Sequence, residues 1–182
     1  MNNNTPVLKT KDTGSIMRSH TLISLSNFSL YPAIGSWQVV TDQVMGGASS
    51  ASYEVNNLNE GVFSGTISTK NDGGFALIRH RFNKQNIEKD AVLSIRVKGF
   101  TGRYKVRIKA NFEDYFAYIA EFNSTDQWET INIKLSDFQA SYRGRKLDRS
   151  NFNDSYIEEI AFMVSNGKEQ SFNLSIDKIV IN

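Results

Sequence analysis

From Ala91 to Lys98 the residues fall into two alternating sets: Ala91, Leu93, Ile95 and Val97 on one parity, Val92, Ser94, Arg96 and Lys98 on the other. A period of two sends successive side chains to opposite faces of a strand and cannot gather into one apolar stripe on a helix. The pattern returns at once: Tyr104, Val106, Ile108 and Ala110 alternate with Lys105, Arg107 and Lys109. Gly99-Phe100-Thr101-Gly102 lies between the two runs, so they are expected to pair as a hairpin with a basic outer face.

Weaker copies of the pattern fill the rest of the chain. Ala51, Tyr53 and Val55 read as a half-buried strand, Phe63, Gly65 and Ile67 as the next, and Ala76, Ile78, His80 and Phe82 as one face of a third. Tyr115 to Phe122, Trp128 to Leu135, Ile157 to Val164 and Phe172 to Ile181 follow, and residues 21–30 are weakly β. No segment keeps a 3.6-residue apolar period. Strands separated by turns, without helices, argue for an all-β sandwich or barrel, and a jelly-roll β-sandwich of two antiparallel sheets suits the strand count and the long irregular connections. Residues 1–20 are polar and read as a flexible lead-in, leaving residues 21–182 as one domain. A chain of 182 residues buries roughly 70% of its extended-state surface, enough for a core without staples.

Composition removes several classes of chemistry. The absence of Cys excludes disulfides, thiolate zinc sites and Cys nucleophiles, and two His, His20 and His80, are too few for a multi-His metal centre. A formal charge of +2 does not by itself call for a polyanion. No apolar run suits a signal peptide or a membrane span, so the expected location is cytoplasmic.

The most unusual local feature is a pair of glycine doublets. Trp37 to Ser49 reads WQVVTDQVMGGAS, and Asn71-Asp72-Gly73-Gly74-Phe75 echoes it before Arg79. Adjacent glycines belong where φ must be positive or where another segment comes very close. The positive φ is expected at Gly47. Asp42 and Arg79 are candidates to face one another across the two turns, with Trp37 or Phe75 as an aromatic platform for a ligand. The structural alternative is an Asp42–Arg79 pair, or an Asp42 accepting hydrogen bonds from the N–H groups of Gly46 and Gly47, that pins a turn. Met45 is expected in the core. The cations Arg96, Lys98, Arg103, Lys105, Arg107 and Lys109 would suit phosphates or an acidic protein surface, or form a solvated face neutralised by Glu113, Glu121 or Glu129. No aromatic is interleaved with them to stack a base, which argues against nucleic acid. Tyr142-Arg143-Gly144-Arg145 reads as a basic turn whose Arg packs back on an aromatic ring or meets a partner. Asp177 with Asn27 falls short of the six or so oxygens of a calcium site. His80 faces inward by alternation, no carboxylate pair stands out, and the glycine doublets lack the Lys-Ser/Thr end of a phosphate loop. No enzyme, metal or cofactor is expected.

Taken together, Trp37, Asp42, Val44-Met45-Gly46-Gly47, Ser49, Phe63-Ser64-Gly65, Asn71, Gly73-Gly74-Phe75 and Arg79 resemble the signature of the thirty-kilodalton complex I intermediate-associated protein family. The likeness continues through Tyr118, Phe122, Trp128, Asp137-Phe138, Arg143-Gly144 and Phe172 to Ile179, covering nearly everything from about Leu22 to Asn182. The resemblance implies a galactose-binding-like jelly roll and, for mitochondrial members, a non-catalytic chaperone of NADH:ubiquinone oxidoreductase assembly. With no transit peptide legible, this chain is expected to be a stand-alone bacterial version. The candidate binding residues are Trp37, Asp42, Met45, Gly46, Gly47, Asn71, Gly73, Gly74, Phe75, Arg79, Tyr118 and Arg143. The expected partner is a protein, such as a respiratory-complex subunit or assembly intermediate. The alternative is a carbohydrate stacked on Trp37, Phe75 or Tyr118, with an uncharacterised hydrolase as a distant third.

Overall fold

The structure, a computed structural model, describes residues 22–27, 37–100 and 102–182. Thirteen strands account for most of them: β1 (Ile23–Asn27), β2 (Trp37–Thr41), β3 (Ser50–Val55), β4 (Gly61–Ile67), β5 (Ala76–Asn86), β6 (Val92–Gly99), β7 (Gly102–Lys109), β8 (Ala117–Ser124), β9 (Glu129–Lys134), β10 (Gln139–Tyr142), β11 (Arg145–Lys146), β12 (Tyr156–Val164) and β13 (Gln170–Ile181). No α-helix occurs among the described residues; three short 3-10 turns lie between strands.

The strands form two antiparallel sheets, as the alternation predicts. The first runs β3-β4-β13-β6-β9, with β1 beside the C-terminal half of β13, and the second runs β11-β10-β8-β7-β12-β5-β2. The core lies between them. Phe63, Ile95, Ile176 and Leu174 enter it from the first sheet and Ile78, Val106, Ile160 and Phe162 from the second, all without exposed surface. Phe63 packs on Phe172 at 4.7 Å between ring centroids, and Phe122 meets Phe162 edge-on at 6.3 Å. His80 turns inward and stacks on Trp37, as alternation along β5 requires.

The expected hairpin does not form. β6 pairs with β13 and β9 in the first sheet, while β7 pairs with β12 and β8 in the second, so Gly99 to Gly102 carries the chain from one sheet to the other. An arch between sheets brings two apolar faces together across the core, whereas a hairpin sets them side by side. Period-2 alternation is identical in both cases. Gly99 belongs to that corner: a Cβ there would stand 2.3 Å from the carbonyl oxygen of Asn173.

The basic residues therefore part company. Arg96 and Lys98 lie on the outer face of the first sheet, both over the ring of Trp128, and Arg96 also pairs with Asp177 at 2.8 Å. Asp177 is thus held by a cation, and the side chain of Asn27 lies outside the described residues. Lys105, Arg107 and Lys109 project from the outer face of the second sheet.

Candidate functional site

The two glycine doublets meet, and Asp42 is what holds them together. A 3-10 turn over Asp42–Met45 follows β2, and another over Lys70–Asp72 precedes β5. β2 and β5 are paired up to Thr41 and Ala76, which sets both turns at one end of the second sheet. Asp42 has no exposed surface. Its carboxylate accepts from the Ser49 backbone N–H at 2.9 Å, the Ser49 hydroxyl at 2.5 Å, Gly74 N–H at 2.6 Å and Phe75 N–H at 3.3 Å. Burial alone would raise its pKa, but these hydrogen bonds together hold it below the ordinary carboxylate value. Asn71 adds a second tie by donating from Nδ2 to the Gly46 carbonyl at 3.0 Å.

Within each doublet the glycines divide the work. Gly46, at φ 86°, and Gly74, at φ 131°, take the left-handed backbone and have open space where a Cβ would go. Gly47 and Gly73 pack on the carboxylate instead, where an added Cβ would lie 2.3 Å from Asp42 Cγ and 2.6 Å from Oδ2 respectively. The positive φ expected at Gly47 belongs to Gly46. The donors to the carboxylate are likewise not those of Gly46 and Gly47, whose N–H groups bond backbone carbonyls; Ser49, Gly74 and Phe75 supply them. Ser49, buried beside Asp42, also accepts from Ser68 N–H at 3.0 Å and joins the turns to the end of β4.

A carboxylate so engaged has little left to offer a ligand, and it does not meet Arg79. Arg79 lies farther along β5, where its Nε donates to Gln38 Oε1 at 3.1 Å on the outer face of the sheet. Trp37 and Tyr118 are 7% and 5% exposed, their rings packed within the core cluster, and neither is a platform for a sugar. Phe75 is half-buried. Met45 reverses the expectation of a core position: it is 60% exposed, and Val44 beside it is 73% exposed. The tight turn that buries Asp42 leaves no inward direction for its neighbours, so the two apolar side chains point to solvent. Arg143, at φ 47°, and Gly144, at φ 75°, form the tip of the β10–β11 hairpin, with the Arg143 guanidinium over the Tyr142 ring.

The outer face of the second sheet is the other polar surface, and its organiser, Glu159, was not singled out by sequence reasoning. Glu159 is a buried acid flanked in register by Arg81 of β5 and Lys109 of β7, and its Oε2 pairs with Arg81 Nε at 2.8 Å. The legible signal is a charge pair, Glu158-Glu159, interrupting an otherwise apolar strand. Glu121 is the expected neutraliser that does act, pairing with Arg103 at 3.5 Å and Lys105 at 3.8 Å; Glu129 instead accepts from Thr125 N–H, and Glu113 pairs with none of the cations at ion-pair distance among the described residues. Beside this face, a depression of about 370 Å³ is lined by Lys105, Glu121, Asp137, Gln139, Ser141 and Lys146 among others.

The family model for Complex I intermediate-associated protein 30 (CIA30) matches residues 26–176. The chain belongs to that family. Both glycine doublets and the Asp42 pin lie inside the matched span. Among solved structures, this CIA30-family chain is similar to the family 11 carbohydrate-binding module of the cellulosomal cellulase Lic26A-Cel5E of Clostridium thermocellum, at 20% identity and a TM-score of 0.66, covering 90% of this chain and 95% of that one. A family 11 carbohydrate-binding module from Clostridium thermocellum in complex with a β-1,3-1,4-mixed-linked tetrasaccharide matches at 20% identity and a TM-score of 0.65, covering 88% of this chain and 94% of that one. The agarase AgWH50C matches at 10% identity and a TM-score of 0.61 over 88% of this chain and 24% of the enzyme. At these identities the likeness is one of fold: the sandwich is the jelly roll of those modules. No curated protein matches the chain. No described helix is long and apolar enough to cross a membrane.

Proposed function

We propose that the chain is a non-enzymatic protein-binding module that takes part in assembling respiratory complex I, with the doubly pinned glycine turn as its contact. Family membership supplies the assembly context. The observation that carries the contact is the exposure of Val44 and Met45 on a turn whose every neighbour is tied down. Exposed apolar side chains on a rigid support bind with little ordering cost, because the backbone is already in its bound shape. Met also adapts to irregular partner surfaces. Asp42, Gly46, Gly47, Asn71, Gly73 and Gly74 are in this reading the frame of the contact.

The test is recovery of complex I subunits or assembly intermediates by pull-down from the native host, comparing wild type with the Val44→Ser/Met45→Ser double variant. The variant is expected to keep its melting temperature, since both side chains are exposed, and to lose most of the captured subunits. Undiminished capture would remove the turn from the interface, and capture of no complex I component by wild type would remove the assembly reading.

A second reading, carbohydrate binding, has its own observation in the depression beside β7, β8 and β10, whose lining can hydrogen-bond hydroxyls. It lacks the usual stacking partner, because the rings of Trp37 and Tyr118 are buried and none of the lining residues is aromatic. Calorimetric titration with soluble mixed-linked glucan separates the two readings: heat that disappears in Gln139→Ala supports the sugar.

A further inference from the structure

The outer face of the second sheet carries cations that its own acids do not satisfy. Gln38, Arg79, Ala161, Arg107, Ile119 and Gln139 form one row across β2, β5, β12, β7, β8 and β10. Arg81, Glu159 and Lys109 make up the row on one side; Leu77, Met163, Lys105 and Glu121 make up the row on the other. Each of the other cations in these three rows has a partner. Arg81 holds Glu159, Lys105 reaches Glu121 and the Ser165 carbonyl, and Lys109 donates to the carbonyls of Phe112 and Asp114. Arg79, Arg107 and Lys109 have no carboxylate at ion-pair distance among the described residues; Lys109 is satisfied by backbone carbonyls and Arg79 donates to Gln38, whereas the buried Nε of Arg107 has no hydrogen-bond partner.

These two arginines flank a small residue. Ala161 stands between them in register, two strand spacings separate their backbones by roughly 10 Å, and the Ala161 methyl group is only 1% exposed beneath its long neighbours. Burial lowers the Arg107 pKa; Glu159 opposes that effect, and the nearby positive charge of Arg79 adds to it. Two guanidiniums that repel one another over a short apolar floor are a receptor for a planar anion that can accept from both.

We propose that Arg79 and Arg107 clamp a side-chain carboxylate of an extended acidic peptide segment lying along β7. The spacing selects the peptide. Lys105, Arg107 and Lys109 project from alternate positions of one strand, roughly 7 Å apart, which is also the repeat of alternate side chains on an extended ligand. A segment with acids at every second residue would thus set its central acid on Arg107 and its flanking acids beside Lys105 and Lys109, in competition with the partners those two already hold. The apolar neighbours within these rows, Leu77, Met163 and Ile119, contain no ring to stack a nucleobase, and the ring of Phe112 at the margin is already covered by the Arg81 guanidinium. The inference does not rest on the assembly reading, since it concerns the opposite parity of the sheet from the core and a different surface from the Val44–Met45 turn.

The experiment uses the purified full chain and fluorescence anisotropy. The probes are a labelled peptide with Glu at alternate positions and Ser between, the same peptide with Gln for Glu, and single-stranded oligothymidine. The Glu peptide is expected to bind, to weaken with added salt, and to exceed the Gln peptide by about tenfold or more. Arg107→Gln should weaken the Glu peptide by a similar factor, whereas Arg96→Gln, on the outer face of the first sheet, should not. Because Arg107 is partly buried, Arg79→Gln serves as the second variant should Arg107→Gln fail to fold, with the same loss expected. Equal binding of the Glu and Gln peptides, unaltered binding by the variants, or oligothymidine binding as tightly as the Glu peptide would overturn the proposal. A chain that binds the Glu peptide but captures no complex I component would sink the assembly reading and leave this one standing.

Discussion

Asp42 shows how one buried carboxylate can organise two distant stretches of chain. Its folded-state pKa is lowered, so its contribution to stability is fully present above the unfolded value, near 3.8, and is lost as pH falls through the lower folded value. Acid unfolding followed by circular dichroism should therefore show stability falling below about pH 4 in wild type, with a shallower fall in Asp42→Asn. At neutral pH, Asp42→Asn puts an amide NH₂ among four donors, and urea titration should show a loss of roughly 3 kcal/mol or more. The glycine doublets make a paired prediction. Gly46 sits at positive φ with open space, a conformation Asn tolerates, so Gly46→Asn should cost about 1 kcal/mol or less. Gly47 is pressed on Asp42, and Gly47→Asn should cost several times that, because the Cβ itself overlaps the carboxylate. Equal melting temperatures for the two variants would contradict this division of labour. That glycine doublets beside an acid mark a special turn was legible in the residues; which glycine served which purpose was not, because φ and close approach are properties of the folded backbone.

Among the strands, β13 is central to the first sheet, bonded to β6 along one edge and to β4 and then β1 along the other. Its amides should exchange slowest by hydrogen–deuterium mass spectrometry, while the two-residue edge strand β11 should exchange early; early exchange across β13 would contradict the pairing. The alternation of β6 and β7 was plain in the chain and correctly told which residues are buried. Their partners were hidden, because the parity of an inward face carries no information about which sheet it faces from. The Tyr142 to Arg145 turn was readable for the opposite reason: positive φ at Arg143 and Gly144, and Arg143 packing on its neighbour Tyr142, are local events.

At the scale of the whole molecule, an all-β sandwich or barrel followed from period-2 patterning, a chain long enough for a core, and no competing helical period, and the family resemblance implied the jelly roll. Family membership was carried by local strings of residues that survive in any fold description. The sites were decided elsewhere. Trp37 looked available for stacking until sheet packing enclosed it, Met45 looked buried until the pinned turn ejected it, and Arg79 was separated from Asp42 by the length of strand between them. Glu159 became an organiser when β5, β12 and β7 were laid side by side. Alternation and turn chemistry act between neighbours in the chain, so the residues alone determine them. Which charges share a face, and which rings keep contact with water, depend on contacts among residues far apart in the chain, and only the packed sandwich decides them.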